Sequence, residues 1–457
     1  MRFAITWFKC RDGRDYIVVC DAPNACFNEV TGRVALRRRF AIGAIIMAKI
    51  SYRVRPETAV LTKGFDPALS VGSARPPVYR SSTFVFPSPE AAERAFAIVL
   101  GKISPVDEDR PDLIYARLNH PNAEILEEQL VPLERGANFA AVFNSGMAAI
   151  VTVMLSFLER GGSLIYTQPL YGGTQHLIHQ IIEPLGFVAH AVPAGNARAL
   201  SEAIERCENP RLVLIETPAN PTLMMTDIAQ AAAAVRRHPK RPLLAVDNTL
   251  LGPTFQHPLT CGADLAIYSA TKFIGGFSDL LAGAVLAVDP ELIQTLTGMR
   301  ALLGNILQAD ECWILDSRLS TVALRMNRQS KNAQRIAEQL AKHPRVSRVI
   351  YPSLFTDPEQ IRIRDAQTDY PGSLVSLEIK NGKTGAFEFL RRLKIAKNAV
   401  SLGAVETLVC HPMTTTHSEL SAQEFAAAGI TESLVRISVG TEHWRDLLDE
   451  FSRALDA

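Results

Sequence analysis

Leu243-Leu-Ala-Val-Asp247 and Leu265-Ala-Ile-Tyr-Ser-Ala-Thr-Lys272 are two short apolar runs that each end in polar residues. Short runs of Val, Ile, Leu and Ala without alternation predict strands buried on both faces, as in parallel sheets. Working outward, the pattern recurs at 140–143, 163–167 and 212–216, and the second quoted run predicts a strand at 265–269. Longer amphipathic stretches at 147–159 and 228–237 separate the strands. This alternation predicts an α/β fold with a mostly parallel sheet covered by helices.

Polar residues gather just beyond these strands: Asn144-Ser145-Gly146, Asn220, Asp247-Asn248 and Ser269-Ala270-Thr271-Lys272. Open α/β sheets bind ligands at the carboxyl ends of their strands, so these positions form the candidate site. A second region opens near Leu324, with a helical stretch to Ala341 and strands at 374–379 and 434–439. It predicts a smaller C-terminal α/β domain.

A chain of 457 residues exceeds one simple core and calls for two domains, here with an added arm. The net charge of +1 gives no basis for nucleic acid or an anionic membrane as partner. No apolar run approaches the roughly 18 residues that span a bilayer, and the expected location is cytoplasmic. Seven cysteines without a C-x-x-C pair suggest neither a disulfide framework nor a zinc site. Residues 1–46 differ from the rest: they carry Cys10, Cys20 and Cys26, and eight Lys/Arg against four Asp/Glu. Arg37-Arg38-Arg39-Phe40 and the apolar residues after it faintly resemble a twin-arginine export signal, but Lys49 ends the stretch and no A-x-A site follows. The expectation is an atypical extension, with Met47 as the true start.

Lys272, at the mouth of a buried strand between polar neighbours, is costly there unless it is paired or used chemically. A desolvated lysine loses its proton readily, which imine formation with an aldehyde requires. Asp247 by itself reads equally well as a turn or helix-capping residue. Together, an aspartate and a lysine at neighbouring strand ends suit the pyridine nitrogen and the aldehyde of pyridoxal 5'-phosphate.

Ser269-Ala-Thr-Lys-Phe-Ile-Gly-Gly276, with Pro76-Pro-Val-Tyr-Arg-Ser-Ser-Thr-Phe84 and Val439-Gly-Thr-Glu442, closely resembles the Cys/Met-metabolism family of pyridoxal-phosphate enzymes. The resemblance implies the type I fold of pyridoxal-phosphate-dependent transferases. It divides the chain into an arm at 47–119 that serves a neighbouring subunit, a cofactor domain at 120–323 and a C-terminal domain at 324–457. It also implies a homo-oligomer, a tetramer built from dimers. Lys272 matches the family's Schiff-base lysine and Asp247 the partner of the ring nitrogen. Ser269 and Thr271 flank the lysine as cofactor contacts. Gly146 and Met147 follow a strand and open a helix, where free N–H groups can cradle phosphate. Tyr115 and Arg117 match the Tyr-x-Arg that reaches phosphate from the neighbouring subunit, a contact suited to a planar guanidinium. Tyr171 matches the tyrosine that stacks on the ring and moves protons, and Asn220 the asparagine near the ring hydroxyl. Arg436, inside an apolar strand, matches the residue that binds the substrate's α-carboxylate, with Ser401 assisting.

Three positions depart from the family pattern. Phe277 replaces the histidine of Gly-Gly-His-Ser-Asp, Asn119-His-Pro-Asn122 replaces Asn-Pro-Thr, and Gly173 stands where methionine γ-lyases carry cysteine. His411 and His417 read as loop residues, not metal ligands. Gly382-Lys383-Thr384 imitates a P-loop, but Leu377 replaces its first glycine. The expected substrate is a small amino acid. The leading reaction is γ-elimination of a thiol from methionine, cystathionine or a relative. γ-Replacement on a homoserine ester uses the same residues, and an inactive cofactor-binding regulator is the remote alternative.

Overall fold

The computed structural model describes residues 4–9, 15–20, 54–103 and 113–456. The expected start at Met47 and the Arg37–Arg39 segment lie outside the described residues. The chain forms two compact units, 1–41 and 42–457. In the first, β1 (Ala4–Lys9) and β2 (Asp15–Cys20) pair as an antiparallel hairpin.

The second unit holds two sheets. The larger has seven strands: β3 (Phe139–Phe143), β4 (Ser163–Gln168), β5 (Val188–Pro193), β6 (Pro210–Glu216), β7 (Leu243–Asp247), β8 (Leu265–Tyr268) and β9 (Gly283–Ala287). Their order is β3-β9-β8-β7-β6-β4-β5. From β8 to β5 the pairing is parallel, and β9 alone runs against both of its neighbours. Leu212, Leu244, Leu265 and Val285 are fully buried, which explains why the strands read as unbroken apolar runs.

Helices α1 (Pro121–Leu130), α2 (Gly146–Phe157), α3 (Ile228–Arg237) and α4 (Pro290–Leu303) belong to this half. Each start has a local cause. The Ser145 hydroxyl accepts from the Ala148 N–H at 3.0 Å to cap α2, and Asp227 caps α3 by accepting from Gln230. The long α5 (Val322–Leu340) leads into the second sheet. That sheet comprises β10 (Val346–Ile350), β11 (Leu374–Ile379), β12 (Lys397–Asn398), β13 (Leu408–Cys410) and β14 (Leu434–Ser438), in the order β10-β11-β14-β13-β12. It is antiparallel except where β12 meets β13. The closing helix α6 (Trp444–Asp456) buries Leu447, Phe451 and Leu455 in the core of this half.

Candidate active site

The ends of β3, β4, β6, β7 and β8 place Ser145, Tyr171, Asn220, Asp247 and Lys272 along one sheet edge. Asp247 closes β7, and its Oδ1 accepts from the Thr249 N–H at 3.1 Å and the Thr249 hydroxyl at 2.6 Å. The Thr249 oxygen accepts in turn from the Ser269 N–H at 2.8 Å, tying the turn after β8 to the carboxyl of β7. Burial holds the Asp247 carboxyl above its usual range, and the Thr249 bonds oppose that rise. Among the described residues no basic side chain pairs with it.

Lys272 follows in a tight turn, and its Nζ donates to the Ser401 hydroxyl at 3.0 Å. Burial first, and then the Arg436 charge, push the amine down to about 8. The loop of Ser401 approaches closely because Gly403 has no side chain. Its φ is +82°, and a Cβ there would lie 2.7 Å from the Phe273 nitrogen.

Arg436 sits in the middle of β14 at 2% exposure. Its Nη1 donates to Asn220 Oδ1 at 3.1 Å, and Nη2 to the Val400 and Ser401 carbonyls at 2.8 and 3.0 Å. All three partners are neutral, and among the described residues Nε has no partner. A buried cation so placed is costly unless an anion completes it.

Gly146 opens α2 against the Lys272 turn: a Cβ there would meet Ser269 Cβ at 2.7 Å. Tyr171 is 43% exposed, and the absent side chain of Gly173 leaves room for its ring. A Cβ at Gly173 would lie 2.6 Å from Tyr171 Cε1 and 3.3 Å from Met147 Sδ. The Thr271 hydroxyl donates to the Ala282 carbonyl at 3.1 Å and accepts from its N–H at 2.9 Å. Arg117 donates to the Ala301 carbonyl at 2.8 Å, at the end of α4, and lies 5.6 Å from the centre of the Tyr115 ring.

Three residues of this site escaped the sequence reading. Thr249 links Asp247 to Ser269. Glu216, read only as a strand end, accepts backbone N–H groups from Tyr171 and Asn220. His417, read as a loop residue, is fully buried; its Nε2 donates to the Asn220 carbonyl at 3.1 Å, and Nδ1 accepts from the Thr416 hydroxyl. Burial and the Arg436 charge push that imidazole down to about 4, so it is neutral. Phe277 also finds a setting, with the guanidinium of Arg318 4.8 Å and that of Arg325 5.5 Å from its ring centre.

The family model described as Cys/Met metabolism PLP-dependent enzyme matches residues 57–456. The chain belongs to this family. An L-methionine gamma-lyase of Pseudomonas deceptionensis is 35% identical over 401 residues, 88% of this chain and 97% of that protein. The cystathionine beta-lyase MetC of Bacillus subtilis (strain 168) is 35% identical over 341 residues, 75% of this chain and 85% of its own. The structure of a cystathionine gamma synthase from Xanthomonas oryzae pv. oryzae in complex with cystathionine superposes with a TM-score of 0.80 at 32% identity, covering 89% and 98% of the two chains.

The protein is thus a pyridoxal-phosphate-dependent enzyme of sulfur amino-acid metabolism, and its residues fit the cofactor. The Lys272 amine is easily deprotonated, and no basic side chain among the described residues pairs with the Asp247 carboxyl. Gly146 leaves the backbone before α2 bare beside Ser269. Those are the needs of an aldehyde, a ring nitrogen and a phosphate, in that order.

Proposed function

We infer that the enzyme is a carbon–sulfur lyase that removes a thiol from Cγ of methionine, cystathionine or a related amino acid. The observation that carries an amino-acid substrate is Arg436, a buried guanidinium with three neutral partners and donors to spare beside Lys272. Named methionine γ-lyases that align over nearly their whole length support the elimination.

When bound, pyridoxal phosphate stores the negative charge that develops at the substrate's Cα. The chain's residues do the rest. Asp247 would hold the cofactor's ring nitrogen and favour its protonated form. Arg436 would take the substrate's α-carboxylate and so orient the bonds at Cα. Lys272 Nζ, steered by the Ser401 hydroxyl, moves the Cα proton. The Tyr171 ring would cover the cofactor, and its phenol would serve the leaving sulfur as acid. Asn220, which accepts from Arg436, would meet the ring hydroxyl of the bound cofactor, while Ser269, Thr271, Gly146 and Met147 would hold its phosphate.

We assign residues 120–323 to the cofactor domain, 324–457 to the C-terminal domain and 47–119 to an arm serving a second subunit. The 41% exposure of Tyr115, whose ring lies beside the Arg117 guanidinium, supports that assignment. So does the exposure of Val71 and of Val85 (94%) on the arm. The proposed assembly is a homotetramer built from dimers, in the cytoplasm.

A panel of methionine, cystathionine and homoserine esters, assayed for 2-oxo acid with and without added thiol, tests the reaction. Oxo-acid release from methionine or cystathionine without added thiol is expected. Turnover only of a homoserine ester with added thiol would replace elimination with γ-replacement.

A further inference from the structure

Glu216 ends β6, is buried, and pairs in register with Asp247 on β7. The Tyr171 N–H donates to its Oε2 at 2.7 Å and the Asn220 N–H to its Oε1 at 3.2 Å. One carboxyl therefore holds both the loop after β4 and the loop after β6. Its own backbone is fixed by a third bond, from the Glu216 N–H to the Thr167 hydroxyl of β4 at 3.2 Å.

We propose that Glu216 is a positioning residue that sets Tyr171 and Asn220 against the cofactor and couples their placement to the charge held at Asp247. The proposal rests on the reading of Asp247 and Lys272 as the cofactor's anchors. The first argument is the acceptor count. Two N–H groups arrive on two separate oxygens, and only a carboxyl can accept on both. A glutamine there would turn its NH2 toward one of the N–H groups.

The second argument is electrostatic. Among the described residues no basic side chain pairs with Glu216, and burial, then the neighbouring Asp247 charge, hold its carboxyl well above the usual range. The charged or titratable groups around it are Asp247 on β7, Arg436 on β14, which favours its ionised form, and the neutral His417 beyond Asn220. The two carboxyls titrate as a pair. A cation placed against Asp247 relieves their repulsion, so Glu216 sheds its proton and its bonds to the two loops become charge-assisted. Filling the site thereby firms the backbone that carries Tyr171.

The test compares wild type, Glu216→Gln and Glu216→Asp. Cofactor affinity is read by absorbance across neutral pH, and kcat and KM are measured separately. In wild type, affinity should rise with pH as Glu216 gives up its proton. Glu216→Gln should lose that component and reduce kcat by about tenfold or more, with KM nearly unchanged because Arg436 is intact. Glu216→Asp should keep the pH component, since the charge remains, but not the full kcat, since the side chain is one carbon too short. Wild-type pH dependence and kcat in Glu216→Gln would overturn the proposal. If Glu216→Gln fails to fold, full kcat in Glu216→Asp would overturn it equally. Borohydride labelling of Lys272 separates the two layers: a label elsewhere defeats the cofactor reading, and a label on Lys272 with unperturbed Glu216 variants defeats only this proposal.

Discussion

Replacing Arg436 with lysine should raise KM for every amino-acid substrate by about two orders of magnitude while cofactor binding persists. A guanidinium offers five N–H donors. Three of them are used on Asn220 Oδ1 and on the Val400 and Ser401 carbonyls, which leaves two for a carboxylate. An ammonium has three donors, and the same three oxygens can absorb all of them. The positive charge survives, but the spare N–H donors that would bind the carboxylate do not. Two bonds to a charged partner, each at the lower limit of about 1.5 kcal/mol, amount to roughly 3 kcal/mol, or on the order of 100-fold in KM. The assay is steady-state kinetics on the best substrate, with titration of a non-reacting amino acid followed through the visible band of the bound cofactor. An unchanged KM accompanied by lost thermal stability and lost cofactor would refute the reasoning and make Arg436 a purely structural residue.

Three further outcomes follow from the same geometry. Cofactor uptake by the cofactor-free protein requires a neutral Lys272 amine. Its rate should rise with pH and level off above about 8, and Arg436→Met should move that midpoint upward by removing the second cause of the depression; an unmoved midpoint would count against the field effect of Arg436. Gly173→Ala should lower kcat about tenfold, because the new Cβ would stand 2.6 Å from the Tyr171 ring; wild-type kcat would show that the ring position does not matter. Mixing Arg117→Ala and Lys272→Ala chains should recover part of the activity if the arm serves a second subunit, and no recovery after demonstrated subunit exchange would place each site within one chain.

The fold was legible wherever burial leaves a one-dimensional trace. The runs ending at Phe143, Glu216 and Asp247 read as strands because both of their faces are buried. The reading overran β8 by one residue, since Ser269 already belongs to the turn that sets Lys272. It missed β5 and β9. β5 lies at the sheet edge with several exposed side chains, and Gly283-Ala-Val-Leu-Ala287 is too short and too small to announce that it runs antiparallel. Lys272 and Asp247 were visible because their chemistry is unusual at strand ends. Glu216 and His417 were not, because their roles come from backbone groups of Tyr171 and Asn220, and no local pattern records which N–H or carbonyl will arrive there. Phe277 is similar: Arg318 and Arg325, which flank its ring, come from far along the sequence.

The most direct test of the account is chemical. The purified yellow protein is reduced with borohydride, digested, and its peptides are mapped by mass spectrometry. The account predicts one pyridoxyl label, on Lys272, and no yellow colour in Lys272→Ala. A label on any other lysine would contradict it.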